Sequence, residues 1–179
     1  MDNTQDKIIQ ATLDWIQKDD YKKLSMRKLA AKIGMTTGAI YKYFQNKNAL
    51  FYQVSIVLSR QISEELTIDS KASPKNNLLL LAESFCVLIQ KQPKLVNFLF
   101  FNSSLDDFYQ NMNHDFEFYD LVMGLVHQVN QGGITDQLFF TQIWSFIQGY
   151  SLLILKEVAD YDPNLVELTL DEMIGGSKK

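Results

Sequence analysis

The chain has 179 residues, 46% of them hydrophobic, with a mean hydropathy of −0.11 and a formal net charge of −4. That length fits one large domain or a small and a medium one, with enough apolar mass to bury a core. A single cysteine, Cys86, excludes an intrachain disulfide, and the opening MDNTQDK has no apolar signal core, which together suit a reducing cytoplasm. The charge is uneven: residues 1–60 carry ten Lys or Arg against five Asp or Glu, and residues 61–179 carry seven against sixteen. A basic head on an acidic body suggests that the head meets a polyanion. An uneven solvated surface explains the same numbers, and charge alone does not separate the two.

Apolar residues recur at helical spacing along almost every segment, and no alternating strand pattern between hairpin turns is found. The expected fold is all-α with about nine helices. A first helix covers about residues 4–18, with Ile8, Ala11, Leu13, Trp15 and Ile16 as apolar positions. After a short turn at 19–23, Ser25 caps a second helix that runs to about Lys32. Gly34 breaks it, Thr36 caps a short third helix to about Phe44, and Asn46 caps a long fourth one. Further helices are expected at about 74–91, 93–101, 105–130, 136–158 and 163–174. All three prolines (Pro74, Pro93, Pro163) stand at predicted helix starts, and Gly132-Gly133 and Gly175-Gly176 mark two ends. The organisation expected is a head, residues 1–48, and a helical body, residues 49–179. The uncharged stretch Gln137–Leu155 is long enough to cross a bilayer. Its polar groups, among them Gln137, Thr141, Gln142, Ser145 and Gln148, favour a buried or interface helix, and no membrane partner is expected.

The segment SMRKLAAKIGMTTGAIYKYFQNKNAL, residues 25–50, carries the functional signal. Two helices are separated by about four residues. Ala30 lies four residues before Gly34, so its small side chain allows close approach of the second helix; Ile40, six residues after Gly34, plugs the angle between them. Gly34 supplies the left-handed backbone a sharp turn needs. This is the spacing of a helix-turn-helix, whose second helix enters a major groove. Around the anchoring Ala39 and Ile40 stand Thr36, Thr37, Gly38, Tyr41 and Lys42. Thr hydroxyls and methyls suit base edges, while the hydroxyls of Tyr41 and Tyr43 and the ammoniums of Lys42 and Lys47 suit phosphates. Phe44 is expected to pack inward, as core aromatics do.

The same residues resemble the TetR-family signature, in which a Gly turn leads to a short recognition helix ending in an aromatic run and a Lys. Gly34, Gly38, Tyr41, Tyr43, Phe44, Lys47 and Leu50 occupy those positions, with Tyr21, Ser25, Arg27, Leu29 and Ala30 matching upstream. The resemblance covers about residues 4–58. It implies that Arg27, Thr36, Thr37, Gly38 and Lys42 lie along a groove or its edge, and that Tyr41, Tyr43 and Lys47 grip phosphates. It also implies a body that binds a small effector, a homodimer built through the last two helices, and repression at a palindromic duplex operator.

In the body, aromatic residues crowd two adjacent predicted helices. The expected effector pocket draws on Phe98, Phe101, Phe108, Phe116, Tyr119, Trp144 and Gln148, and suits an apolar or amphipathic molecule. Ordinary core packing accounts for any one of these residues. His114 and His127 lack the spacing of metal ligands, so no metal or cofactor is expected. No nucleophile–base pair or phosphate loop is present, which argues against an enzyme. The competing reading is a helical adaptor that binds proteins, without sequence-specific DNA binding.

Overall fold

In the computed structural model, which describes residues 3–66, 68–103 and 116–176, the chain folds into α-helices, with no strand among the described residues. They are α1 (Asn3–Lys18), α2 (Met26–Ile33), α3 (Thr37–Tyr41), α4 (Lys47–Glu65), α5 (Pro74–Lys91), α6 (Pro93–Phe100), α7 (Glu117–Val129), α8 (Asp136–Leu155) and α9 (Pro163–Gly176), with a 3-10 turn at Tyr21–Lys23 between α1 and α2.

The helix starts are written in side chains that accept from otherwise unpaired backbone N–H groups. Ser25 Oγ accepts from Lys28 N, Thr36 Oγ1 from Ala39 N, Asn46 Oδ1 from Ala49 N, Ser73 Oγ from Asn76 N, and Thr135 Oγ1 from Leu138 N. Asp20 does the same for the 3-10 turn, accepting from Lys22 N. That 3-10 turn lies within the turn expected at 19–23. Two expectations are corrected. Helix α3 ends at Tyr41, because Phe44 is drawn into the core and Tyr43 and Phe44 both donate to the Ile40 carbonyl. Helix α8 ends at Leu155, where Glu157 takes a left-handed φ of 57° and reverses the chain. Of the helix expected over 105–130, residues 117–129 are helical, and 105–115 lie outside the described residues.

The chain divides into two compact units: residues 1–61 with 94–116, and residues 62–93 with 117–179. The first unit is therefore larger than the head expected at 1–48. It includes most of α4, and α6 as well, because Phe98 of α6 is fully buried between Tyr21 and Phe51. Its ring meets theirs edge-on at centroid distances of 5.5 and 5.1 Å. Ile8, Leu13 and Ile16 of α1, Leu29 of α2, Ile40 of α3, and Leu50 and Val54 of α4 complete this core.

In the second unit, α5 packs against α7, α8 and α9. Phe85, Phe118 and Trp144 form an aromatic cluster at its centre, and Phe140 and Tyr119 continue it outward. The Tyr150 hydroxyl donates to the Asp160 carbonyl and accepts from Asp162 N, fixing the loop into α9. Lys75 Nζ reaches Glu167 at 3.1 Å and Asp171 at 2.7 Å, tying α9 to α5. Cys86 is buried, with its Sγ 3.6 Å from Ser151 Oγ, and burial pushes the thiol's pKa up. Among the described residues one helix, α8, is long and apolar enough to cross a membrane. One of its faces packs in the second unit; the other exposes Thr141, Gln142 and Ser145 beside Leu138, Leu152 and Leu153.

Candidate nucleic-acid interface

Helices α2 and α3 are joined by Gly34, Met35 and Thr36. Gly34 sits at φ 68°, ψ 33°, a left-handed conformation that costs an L side chain energy and glycine nothing. There Met35 N donates to the Ala30 carbonyl at 2.9 Å, which turns the chain sharply at the end of α2. Ala30 and Ile40 are 2% and 0% exposed, so both predicted anchors of the turn are in the core. With Ile40 inward, α3 turns its other side out: Thr36, Gly38, Tyr41 and Lys42 are exposed, and Thr37 is half-buried. Tyr41 is 49% exposed, a large aromatic that the fold leaves in solvent beside a lysine. A Cβ built at Gly38 meets nothing within 4 Å, so no neighbour within the fold requires glycine there. Arg27 is exposed on α2, Tyr43 is half-buried, and Phe44 is 2% exposed.

Residues 8–54 match the model of the bacterial regulatory proteins, tetR family. The head is a TetR-family DNA-binding domain. Solved structures share its fold over nearly the whole chain. A transcriptional regulator of the TetR family from Vibrio parahaemolyticus is 16% identical, with a TM-score of 0.69 and 97% of each chain covered. The fatty acid degradation regulator FadR from Bacillus halodurans is 18% identical, with a TM-score of 0.69 over 98% of this chain and 97% of its own. BioQ, solved with its double-stranded DNA operator, is 14% identical, with a TM-score of 0.70 over 96% of this chain and 98% of its own. Among curated protein sequences none matches. TetR-family proteins are transcriptional regulators that bind DNA and are not enzymes.

In this TetR-type head, Lys47 opens α4 half-buried, facing inward. Its Nζ lies 3.4 Å from both the Tyr21 and Lys22 carbonyls and 4.8 Å from the centre of the Phe51 ring. Burial holds this ammonium below the usual lysine value, with the Asp20 carboxylate pulling the other way. Two further lysines that sequence reasoning missed serve the same turn: Lys28 donates to the Lys23 carbonyl at 3.1 Å, and Lys94 of α6 donates to the Lys18 carbonyl at 2.7 Å. Asp20 before Tyr21 was readable as a cap; the pairing of Lys94 with a carbonyl 76 positions away leaves no signal in the sequence.

The residues expected to line an effector pocket are divided between the two units. Phe98 is core of the first unit, and Phe116, 6% exposed, meets Tyr52 there edge-on. Phe101 is 38% exposed, and Phe108 lies outside the described residues. Tyr119 and Trp144 share the aromatic cluster of the second unit, where the Tyr119 hydroxyl donates to Gln137 Oε1 at 2.8 Å; Gln148 is half-buried on α8. A separate cavity of about 350 Å³ opens in that unit between the end of α4 and α5. Ile62, Leu66, Val87 and Leu88 form its apolar lining, and Glu65, Glu83 and Lys91 are charged groups beside them.

Proposed function

We propose that the protein is a ligand-responsive repressor of transcription, acting in the cytoplasm, that binds a near-palindromic duplex operator as a homodimer. The observation that carries this reading is the outward side of α3: Thr36, Gly38, Tyr41 and Lys42 exposed on a short helix whose Ile40 is fully buried. In a major groove, Thr36 and Thr37 would read base edges, Gly38 would let the backbone approach closely, and Tyr41, Lys42 and Tyr43 would meet phosphates, with Arg27 at the groove edge. BioQ, whose fold is similar, was solved on its operator. For the dimer, support comes from apolar side chains left exposed on the last two helices, Leu138 and Leu152 on α8 and Leu165 and Leu168 on α9. For the effector, support comes from the 350 Å³ cavity, large enough for a small amphipathic molecule, and from the half-buried Tyr119, Trp144 and Gln148. The effector would act by binding better to a state whose two heads no longer match the half-sites.

Selection of binding sites from random duplex DNA, followed by a salt titration on the enriched site, tests the reading. A palindrome is expected, with affinity falling steeply as salt rises. No enrichment together with salt-independent affinity would leave a helical adaptor as the function.

A further inference from the structure

The cavity of about 350 Å³ in the second unit is walled by two helix faces. On α5, Glu83, Val87 and Lys91 form one row, and Ser84, Leu88 and Gln92 form the row beside it, each at a spacing of four residues. Opposite them stand Ile62 and Glu65 in the last turn of α4, with Leu66, whose N–H donates to the Ile62 carbonyl, extending the same face. Ile62, Leu66, Val87 and Leu88 make the lining apolar, and the volume falls in the range of sites for small organic molecules. Charge around that lining is uneven: Glu65 and Glu83 are negative and Lys91 is positive. Lys91 lies two helical turns beyond Glu83, about 12 Å along α5 at a rise of about 1.5 Å per residue. Among the described residues no ion pair engages Glu65 or Glu83. The Glu83 charge reaches inward too: burial first, and then this carboxylate, push the Tyr161 hydroxyl up to about 12. The surroundings have the same sign, since residues 61–179 hold sixteen Asp or Glu against seven Lys or Arg. A cleft set in such a field concentrates cations. An apolar lining has no oxygens to replace the water around a small inorganic ion, so the cation that gains most here carries its own apolar surface.

We propose that this cavity takes an amphipathic organic cation. Its apolar stem lies along Ile62, Leu66, Val87 and Leu88, and Glu65 and Glu83 balance its charge. This rests on the reading of the cavity as the effector site and adds the chemical class of the effector. Lys91 is the one group on the rim that favours the opposite class, an amphipathic acid. A single ammonium against two carboxylates, in an acidic body, makes the cation the better match. Both carboxylates are exposed, so each contributes little alone, as exposed ion pairs do. The stem supplies most of the affinity, and the carboxylates select the sign of the charge.

Titration calorimetry on the full chain with octyltrimethylammonium, octanoate and octanol tests this, because the three share one stem and differ in charge. The ammonium is expected to bind about tenfold more tightly than octanoate, with octanol between them. Glu65→Gln and Glu83→Gln each weaken the ammonium about three- to fivefold and leave octanol unchanged. Lys91→Gln leaves the ammonium as tight or tighter. Val87→Trp, at a position 38% exposed and so tolerant of a larger side chain, fills the cavity and abolishes binding of all three, with helical circular dichroism unchanged. Octanoate binding more tightly than the ammonium, an ammonium affinity unchanged in both glutamine variants, or binding that survives Val87→Trp overturns the proposal, as does an ammonium that does not bind. The effector role is read separately, from operator affinity of the ammonium-saturated protein. Bound ammonium that leaves operator affinity unchanged removes the effector role and leaves the cation site standing. Octanoate that binds more tightly and releases the operator keeps the role and overturns the class.

Discussion

Gly34 and Gly38 illustrate opposite reasons for the same residue type. Gly34 is required by the backbone: at φ 68° any side chain is strained, so replacing it destabilises the turn itself. Gly38 is not required by the fold. Its φ is ordinary, a Cβ there meets nothing within 4 Å, and glycine inside a helix costs about 1 kcal/mol against alanine. A cost with no internal return points outward, to a surface that must come close to the backbone of α3. Gly38→Ala is therefore expected to act with opposite signs on two measurements. Thermal unfolding shifts up, by as much as about 1 kcal/mol of stability, while affinity for the selected operator falls about tenfold or more. If the methyl group stabilises the protein and leaves affinity intact, α3 does not lie backbone-close to its partner.

At the scale of elements, the caps were legible in the sequence, because a cap is local: Ser25, Thr36, Asn46, Ser73 and the left-handed Gly34 each act within three or four residues of themselves. The exposed positions of α3 followed from the placement of Ile40. What was not legible depends on contacts distant in sequence. Phe98 looked like a pocket wall beside other aromatics, and only folding places it between Tyr21 and Phe51; the hydrogen bond from Lys94 to the Lys18 carbonyl is hidden for the same reason. The turn between α7 and α8 is a local device of the first kind. Asp136 at the start of α8 accepts from Asn130 Nδ2 at 2.6 Å, just past α7, and lies 2.7 Å from His127 Nδ1 in the last turn of α7. The Asn130 hydrogen bond first, and the His127 contact next, hold its carboxyl below the usual value. A carboxyl with a depressed folded pKa contributes stability above its unfolded pKa of about 3.9 and loses it as pH falls through the lower folded value. Asp136→Asn is thus expected to destabilise the α7–α8 connection at neutral pH, with the difference from the parent vanishing in strong acid. Unfolding curves at several pH values check this, and a difference that persists or grows in acid would sink the assignment.

For the whole molecule, the proposed dimer gives the sharpest test, because one face of α8 combines apolar ends with a small-residue centre. Leu138, Thr141, Gln142, Ser145, Gly149, Leu152 and Leu153 recur every three or four residues and are all exposed. Such a face is poorly suited to water at its ends and allows close approach of another helix at its middle. Leu165 and Leu168 on α9 add exposed apolar area, at 42% and 63%. Single leucines at a surface are ordinary, but exposed leucines at both ends of one helix face, with more on the neighbouring helix, are the pattern of an interface. Gly149→Arg isolates this role, since nothing lies within 4 Å of a Cβ at that position and a charged side chain is accommodated in a lone protomer. In sedimentation the parent is expected to run as a dimer and Gly149→Arg as a monomer, with helical circular dichroism unchanged. Two linked heads gain from occupying both half-sites of one operator, so separating them is expected to weaken operator binding by about a hundredfold or more. The variant should still bind random duplex weakly through a single head. A parent that is already monomeric, or a Gly149→Arg protein that stays dimeric and keeps its operator affinity, would move the interface away from α8 and with it the way in which two heads are held to one palindrome.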